Sequence, residues 1–285
     1  MTLATRRAPS AVDPAALDRA IAALGGRFAV LTGAGISTDS GIPDYRGDGA
    51  PERRPMTIQQ FTSAPAFQKR YWAGSYLGWG RFAAAVPNAG HRALAQLERD
   101  GRVTGVVTQN VDGLHGKAGS LRVVEVHGSG DRVLCLDCGQ VLARDDVTRR
   151  IEAANPWIIP DPAAPLNPDG DAAVGDTSGF VLPTCTVCGG VLKPDVVFFG
   201  EFVPPDRFQR AAVLVRAADA LLVAGSSLAV NSGIRLLEQA RRQRIPIVIV
   251  NRGATKGDRI ADVKVDAGTS ETLQAISDAL AQEAA

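Results

Sequence analysis

Four cysteines carry the most explicit chemistry in this chain. They stand as Cys135-x-x-Cys138 and Cys185-x-x-Cys188, each pair followed by a glycine, Gly139 and Gly189. Two such turns offer four thiolates, which close a tetrahedron around Zn2+ and leave no position for water, so the expected metal is structural. Its binding would contribute on the order of 10 kcal/mol to folding a module too small for a core of its own. Redox use of the pairs needs a thioredoxin-like setting that the flanking sequence lacks. A second stretch, "RFAVLTGAGISTDSGIPDYRG" from Arg27 to Gly47, sends a strand-forming run into Gly33 and Gly35. Backbone passes a pyrophosphate closely at such a place. The third glycine of the dinucleotide fingerprint is replaced by Thr38, and Arg53 and Arg54 occupy the region where a carboxylate would hold an adenosine ribose. A nucleotide is expected here, whether as an ordinary redox carrier or handled in another way.

The elements that must hold these groups are legible from period and punctuation. Asp13-Pro14 opens an amphipathic helix that stops at Gly25-Gly26. Thr57 to Ala85 reads as small aromatic-rich helices packed over the first loop, either as plain core or as a cap on a ligand. A helix after Asn88 leads to the strand "VTGVVTQN", and "RVVEVHG" reads as a strand ending at His127. Beyond the cysteine section come "KPDVVFFGE", a helix from Pro205, "ALLVAGSS", a helix from Ser232, "IPIVIVN" and a helix from Ser270. Apolar strands alternating with amphipathic helices predict a parallel sheet covered on both faces, with ligands at the carboxyl ends of its strands. Thr32-Gly33, Gln109-Asn110, His127, Gly225-Ser226-Ser227 and Asn251 stand at those ends and are expected to ring one pocket. Residues 155–180, rich in proline, glycine and aspartate, read as an irregular insertion between the cysteine pairs. The expected division assigns 13–56, 86–130 and 193–285 to the sheet domain, 57–85 to a helical part of a small domain, and 131–192 to a zinc-binding module.

At 285 residues and net charge +1, the chain gives no electrostatic case for nucleic acid or an anionic membrane as partner. Its apolar runs are strand-sized and cannot span a bilayer. The N-terminal "MTLATRRAPSAVDP" lacks the apolar core of a secretory signal and reads as the start of a cytoplasmic protein, a mitochondrial matrix location being the alternative.

Taken in order, "GAGIS", "GIPDYRG", "TQNVDGLH", His127-Gly128, the paired CxxC motifs, "KPDVVFFGE", "GSSLAV" and Val250-Asn251 resemble the sirtuins, the NAD-consuming protein deacylases. The likeness runs from about Phe28 to Ala267. The wording "PDYRG", "TQNVDGLH" and "DRVLCLDCG" is most similar to the class II branch, which includes a mitochondrial sirtuin and bacterial relatives. The resemblance implies an α/β fold, a Rossmann-type parallel sheet domain with a smaller zinc-binding and helical domain inserted. It implies one structural Zn2+, and NAD cleaved as a co-substrate at the nicotinamide–ribose bond, which frees the loop from the redox fingerprint. Acylated-lysine proteins or peptides would be the partners.

Carried onto this sequence, Gly33, Ala34, Gly35, Ile36 and Ser37 would form the pyrophosphate loop, with backbone N–H groups and a helix start facing the anion. Asp44, Tyr45 and Arg46 would lie over the nicotinamide and ribose, Tyr45 standing where relatives usually carry phenylalanine. Gln109, Asn110, Val111 and Asp112 would hold the nicotinamide ribose and carboxamide pocket. Gly225, Ser226 and Ser227 would contact phosphate or ribose, Asn251 with Arg252 and Gly253 the adenosine ribose, and Ala267 the adenine. In the implied reaction the acyl-lysine oxygen attacks C1′, nicotinamide departs, and an alkylimidate results. His127 would then activate the ribose 2′-hydroxyl as general base, with Asn110 and Asp112 completing the catalytic set. Val197 and Phe199 would border the acyl-lysine tunnel, while nearby backbone pairs with the peptide as an added strand. His91 reads as a helix residue and His115 as part of a turn. Transfer of ADP-ribose to protein is a rival reading, as is a non-catalytic NAD-sensing binding protein, which would have no use for a general base. Arg53 or Arg54 would suit a carboxylated acyl chain, against the plainer reading that they face solvent or pair with Glu52.

Overall fold

The computed structural model describes residues 12–45, 55–161 and 165–282. Arg46, Arg53 and Arg54, and the N-terminal stretch 1–11, lie outside the described residues. Along the chain the strands are β1 (Phe28–Thr32), β2 (Val103–Thr108), β3 (Val123–Glu125), β4 (Gly128–Cys135) and β5 (Val141–Ala143). They continue with β6 (Leu192–Val196), β7 (Ala220–Ala224), β8 (Ile247–Val250) and β9 (Val263–Val265). The helices are α1 (Pro14–Ala23), α2 (Ile58–Ser63), α3 (Pro65–Ala83), α4 (Ala89–Arg99) and α5 (Leu114–Lys117). After them come α6 (Arg144–Ala154), α7 (Pro205–Arg216), α8 (Asn231–Gln243) and α9 (Thr269–Gln282). Among the described residues no helix is long and apolar enough to cross a membrane.

A six-stranded parallel sheet runs in the order β3-β2-β1-β7-β8-β9. β1 and β7 are buried at every residue because helices cover both faces. The period-two alternation of a strand divides the work: Phe28 and Val30 point to a core built with α1, α4 and α9, whereas Ala29 and Leu31 point to one built with α7 and α8. Sequence order reverses between β1 and β7, which opens a crevice at their carboxyl ends.

The smaller unit is a three-stranded antiparallel sheet, β5-β4-β6, joined to α2, α3 and α6. Phe61, Trp72 and Tyr76 of the helices share one core with Cys135, Cys185, Val147, Phe180 and Leu192. The aromatic face of α2 and α3 is therefore chiefly the core of the cysteine module, and it meets the first loop where Phe82 packs with Ile42. Arg144, 2% exposed, is held between the rings of Trp72 and Trp79 at 5.1 and 4.8 Å and donates to Ser75 Oγ at 2.9 Å. Burial pushes its pKa down to about 10, and the two indole faces offset part of that desolvation. The described residues of 155–180 carry no helix or strand, as expected, and they dock on α3 through the Ala172 N–H to the Gly74 carbonyl at 2.9 Å. Gly78 permits this approach, since a Cβ there would fall 2.1 Å from the Gly170 carbonyl oxygen.

Two boundaries differ from the expected division at 130/131 and 192/193. The strand expected to end at His127 leaves the parallel sheet after Glu125, and β4 starts at Gly128. β6 pairs with β4, Gly128 opposite Val196, so 193–196 belong with the small sheet. The "KPDVVFFGE" strand also stops before Val197 and Phe199. Edge pairing across distant sequence decides both points.

Candidate active site

β1 delivers Thr32 and Gly33 to the crevice, and the chain then turns through two short 3-10 turns, Ala34–Ile36 and Thr38–Ser40. This corrects the expected helix start: Gly41 adopts φ +82° and Pro43 follows, which ends any helical run. The loop is laid directly on the end of β7, with the Gly35 N–H donating to the Gly225 carbonyl at 2.8 Å. Gly225 itself has φ +65°, and a Cβ on it would fall 2.3 Å from the Ile36 nitrogen. From below, Asn88, the N-cap of α4, donates through Nδ2 to the Ile36 carbonyl at 2.7 Å.

The end of β2 comes up against the same loop. Asn110 Nδ2 donates to the Gly33 carbonyl at 3.1 Å and to Ser37 Oγ at 3.0 Å. Ser37 Oγ donates in turn to Asp112 Oδ2 at 2.7 Å, whose other oxygen caps the Leu114 N–H at 2.9 Å. Gln109 receives Ser226 Oγ–H on Oε1 at 2.6 Å, while its buried Nε2 has no hydrogen-bond partner. Ser226 also accepts from the N–H of Leu228, a buried leucine at φ +55°. Ser227 lies beside it and accepts through its carbonyl from the Lys256 N–H at 3.1 Å.

His127 sits between the two sheets. Its Nδ1 is 3.0 Å from the Gln109 carbonyl, an atom that can only accept, so the proton is on Nδ1 and Nε2 keeps its lone pair. Burial pushes the ring's pKa below the ordinary 6.5, and the bond to Gln109 opposes that shift in part. The imidazole is therefore neutral near pH 7. The His127 carbonyl accepts from the Val197 N–H at 2.8 Å, and Phe199 stands 38% exposed with its ring edge-on to Tyr45 at 6.1 Å. The Tyr45 hydroxyl donates to Asp169 of the insertion. Val111 faces the small domain, its carbonyl accepting from the Gly130 N–H at 2.8 Å.

The other two histidines stay out of this cluster. His115 Nε2 lies 2.9 Å from Thr32 Oγ1, behind the loop, with the His91 ring at 4.9 Å. Burial lowers both pKa values, that of His91 to about 4. At the ends of β8 and β9, Asn251 spends its Nδ2 on the carbonyls of Arg252 at 2.7 Å and Gly253 at 3.4 Å. Arg252 pairs with Glu271 at 3.1 Å, Gly253 N–H donates to Asp266, and Ala267 is fully buried.

The cysteines converge as expected: their four Sγ atoms all lie within 4.8 Å of one another. Cys135–Cys188 and Cys138–Cys185 are 3.5 and 3.7 Å apart, close to the edge of about 3.8 Å that Zn–S bonds of about 2.3 Å require. Gly139 and Gly189, at φ +75° and +73°, turn each knuckle back so that its N–H reaches the first cysteine's carbonyl at 3.0 Å. The donor set fits zinc, and the glycine-lined crevice with its orphaned Gln109 amide fits a phosphate-bearing, carbonyl-rich ligand such as NAD.

Sequence reading missed Ser232, whose Oγ is 2.9 Å from His127 Nε2, and Asn88, which ties the loop to α4. Nothing local marks Ser232, because its partner is 105 residues away.

A family model described as the Sir2 family matches residues 33–232. NAD-dependent protein deacetylase 1 of Mycobacterium avium (strain 104) is 54% identical over 260 residues, covering 90% of this chain and 92% of that relative. The NAD-dependent protein lipoamidase sirtuin-4, mitochondrial, of Bos taurus is 46% identical over 257 residues, 88% of this chain and 81% of its own. Among solved structures, a Sir2 with a p53 peptide and NAD+ aligns with a TM-score of 0.75 at 32% identity, covering 92% of this chain and 98% of the other.

Proposed function

The chain belongs to the Sir2 family, and from that membership we propose that it is an NAD-dependent protein lysine deacylase, transferring the acyl group of an acylated lysine to ADP-ribose. The observation that carries this reading is His127, neutral and with Nε2 unprotonated beside the glycine crevice. NAD, when bound, supplies the labile nicotinamide–ribose bond and the ribose hydroxyl that receives the acyl group. His127 Nε2 takes the proton of that hydroxyl. Gly33 to Ser37 with Gly225 to Ser227 cradle the phosphates, and the Asn110–Ser37–Asp112 hydrogen bonds keep the carboxyl end of β2 rigid against them. Asn251, Arg252, Gly253 and Ala267 serve the adenosine end. Val197 and Phe199 lead the acyl-lysine toward the base, an arrangement supported by the bond between Val197 and the His127 carbonyl. One Zn2+ on Cys135, Cys138, Cys185 and Cys188 would hold the small domain together.

The test is incubation of the protein with NAD and an acetyl-lysine peptide, with products identified by mass spectrometry. Nicotinamide, free lysine peptide and O-acyl-ADP-ribose in equal amounts are expected. ADP-ribose on protein without acyl loss would replace the reading with ADP-ribosyl transfer, and NAD binding without turnover would replace it with a sensor. Peptides carrying acetyl, lipoyl and glutaryl-type chains, compared side by side, rank the acyl groups.

A further inference from the structure

The ring of His127 is held at both nitrogens, by one residue just past the end of β2 and one from a helix 105 positions away. Nδ1 rests on the Gln109 carbonyl, while Nε2 rests on Ser232 Oγ at 2.9 Å, from the first turn of α8. Ser232 is 8% exposed, so this contact is not a surface accident. Several features bring that turn to the ring. Leu228 in the left-handed region bends the chain after β7, with its N–H on Ser226 Oγ, and Ser226 grips Gln109. Gly233, next to Ser232, then lets α8 start close to Gln109, since a Cβ there would sit 3.0 Å from Leu228 Cδ2 and 3.3 Å from Gln109 Nε2.

We propose that Ser232 is a positioning residue for His127, holding the imidazole in the orientation from which Nε2 meets the substrate hydroxyl. The inference rests on the reading of His127 as the base. Because Nδ1 carries the proton, the Ser232 hydroxyl donates to Nε2 in the free protein, and its O–H turns away to release that single lone pair when the substrate hydroxyl arrives. Once Nε2 has taken a proton, the same hydroxyl can rotate and accept from it. A hydroxyl serves both protonation states, so the ring need not swing as its charge changes. Without it, Gln109 alone restrains the ring, which then rotates about its Cβ–Cγ bond. Glu125 and Arg132 on the strands either side of His127, with Asp131, Asp195 and Arg207, are paired among themselves, so they leave the ring's second anchor to Ser232.

The experiment uses the full chain labelled with 15N-histidine, whose three histidines are few enough to resolve by imidazole NMR, beside steady-state kinetics with NAD and an acetylated peptide. In the parent, His127 should appear as the Nδ1–H tautomer with Nε2 accepting a hydrogen bond; an Nε2–H tautomer would overturn the proposal without any variant. Ser232→Ala should shift the Nε2 signal and raise the midpoint of His127 titration, because the neutral ring loses the donor that favoured it. It should lower kcat about fivefold, as loss of one hydrogen bond would, while KM for NAD stays within about twofold. Ser232→Thr should restore both readouts. Unchanged His127 signals and kcat in Ser232→Ala would overturn the inference and leave the deacylase reading standing. A parent that releases no acyl group would instead remove that reading, with the parent spectrum still judging the Ser232 contact.

Discussion

A hydrogen bond of 3.0 Å from Nδ1 to the Gln109 carbonyl leaves Nε2 as the only nitrogen of His127 able to receive a proton, and burial keeps it ready to do so. Replacing His127 by alanine should therefore lower acyl transfer by roughly 10²–10⁴-fold, the usual range for a general base. NAD affinity, measured by calorimetry, should change only severalfold, because the base acts after the complex forms. Equal loss of both would contradict the division of roles. The pH profile carries a sign as well. The base must be neutral, so activity falls as pH drops through its pKa, and burial puts that acid limb below the ordinary 6.5. Asn251 offers a contrast, since its Nδ2 is spent on the carbonyls of Arg252 and Gly253 and its Oδ1 is the atom that can accept from a ribose hydroxyl. Asn251→Ala should raise KM for NAD about fivefold with little change in kcat, consistent with loss of one ribose hydrogen bond.

Between elements, two links deserve separate tests. The loop after β1 is tied to the insertion by Tyr45 and Asp169, residues 124 positions apart. Tyr45→Phe keeps the ring against Phe199 and removes the tie. Cleavage of 155–180 by an aspartate-directed protease should then speed up, with the melting temperature lowered by no more than about 2–4 °C for a loss near 1 kcal/mol. An unchanged cleavage rate would mean that the docking on α3 and the packing of Leu166 with Ile42 and Leu114 fix the insertion without this tie. The second link is the buried pair His91 and His115, which joins α4 and α5 to the end of β1. Both folded pKa values lie below the ordinary 6.5, that of His91 at about 4, so the unfolded chain binds more protons in between. Stability from this pair is present above pH 6.5 and is lost as pH falls toward about 4. His115→Asn, which cannot take up a proton, should flatten that fall in a thermal-melt series; an identical acid slope would exclude His115 as a source.

At the scale of the molecule, zinc and the small domain should rise and fall together, because Cys135 and Cys185 are buried in the same core as Phe61, Trp72 and Phe180. The chain's three tryptophans, Trp72, Trp79 and Trp157, all lie in α3 or the insertion. Their fluorescence therefore reports the small domain, while far-ultraviolet circular dichroism is weighted toward the helices around the parallel sheet. Chelation of the metal, or Cys138→Ala, should redden the tryptophan emission and lower the melting temperature with proportionately less loss of helix. A metal-free protein with native emission and full activity would refute a structural zinc.

Much of this molecule was written in local order. Runs such as Ala220–Ala224 are apolar at every residue, which demands a strand covered on both faces, and cysteines spaced by two with a glycine after them demand a metal knuckle. The glycines at 33, 35 and 225 marked where backbones approach, and the polar ends at Gln109, Asn110 and Ser226 meet there. Tertiary structure alone decided the rest, because it depends on partners distant in sequence. β6 joined β4 instead of the parallel sheet through edge hydrogen bonds that no hydrophobic period encodes. Gly41 and Pro43 stopped the helical run locally, but the seat of the loop came from Asn88, Asn110 and Gly225, which took up its carbonyls and N–H groups. Ser232 met His127 only once α8 was set on the end of β7, and a serine at a helix start carries no mark of the ring that it will hold.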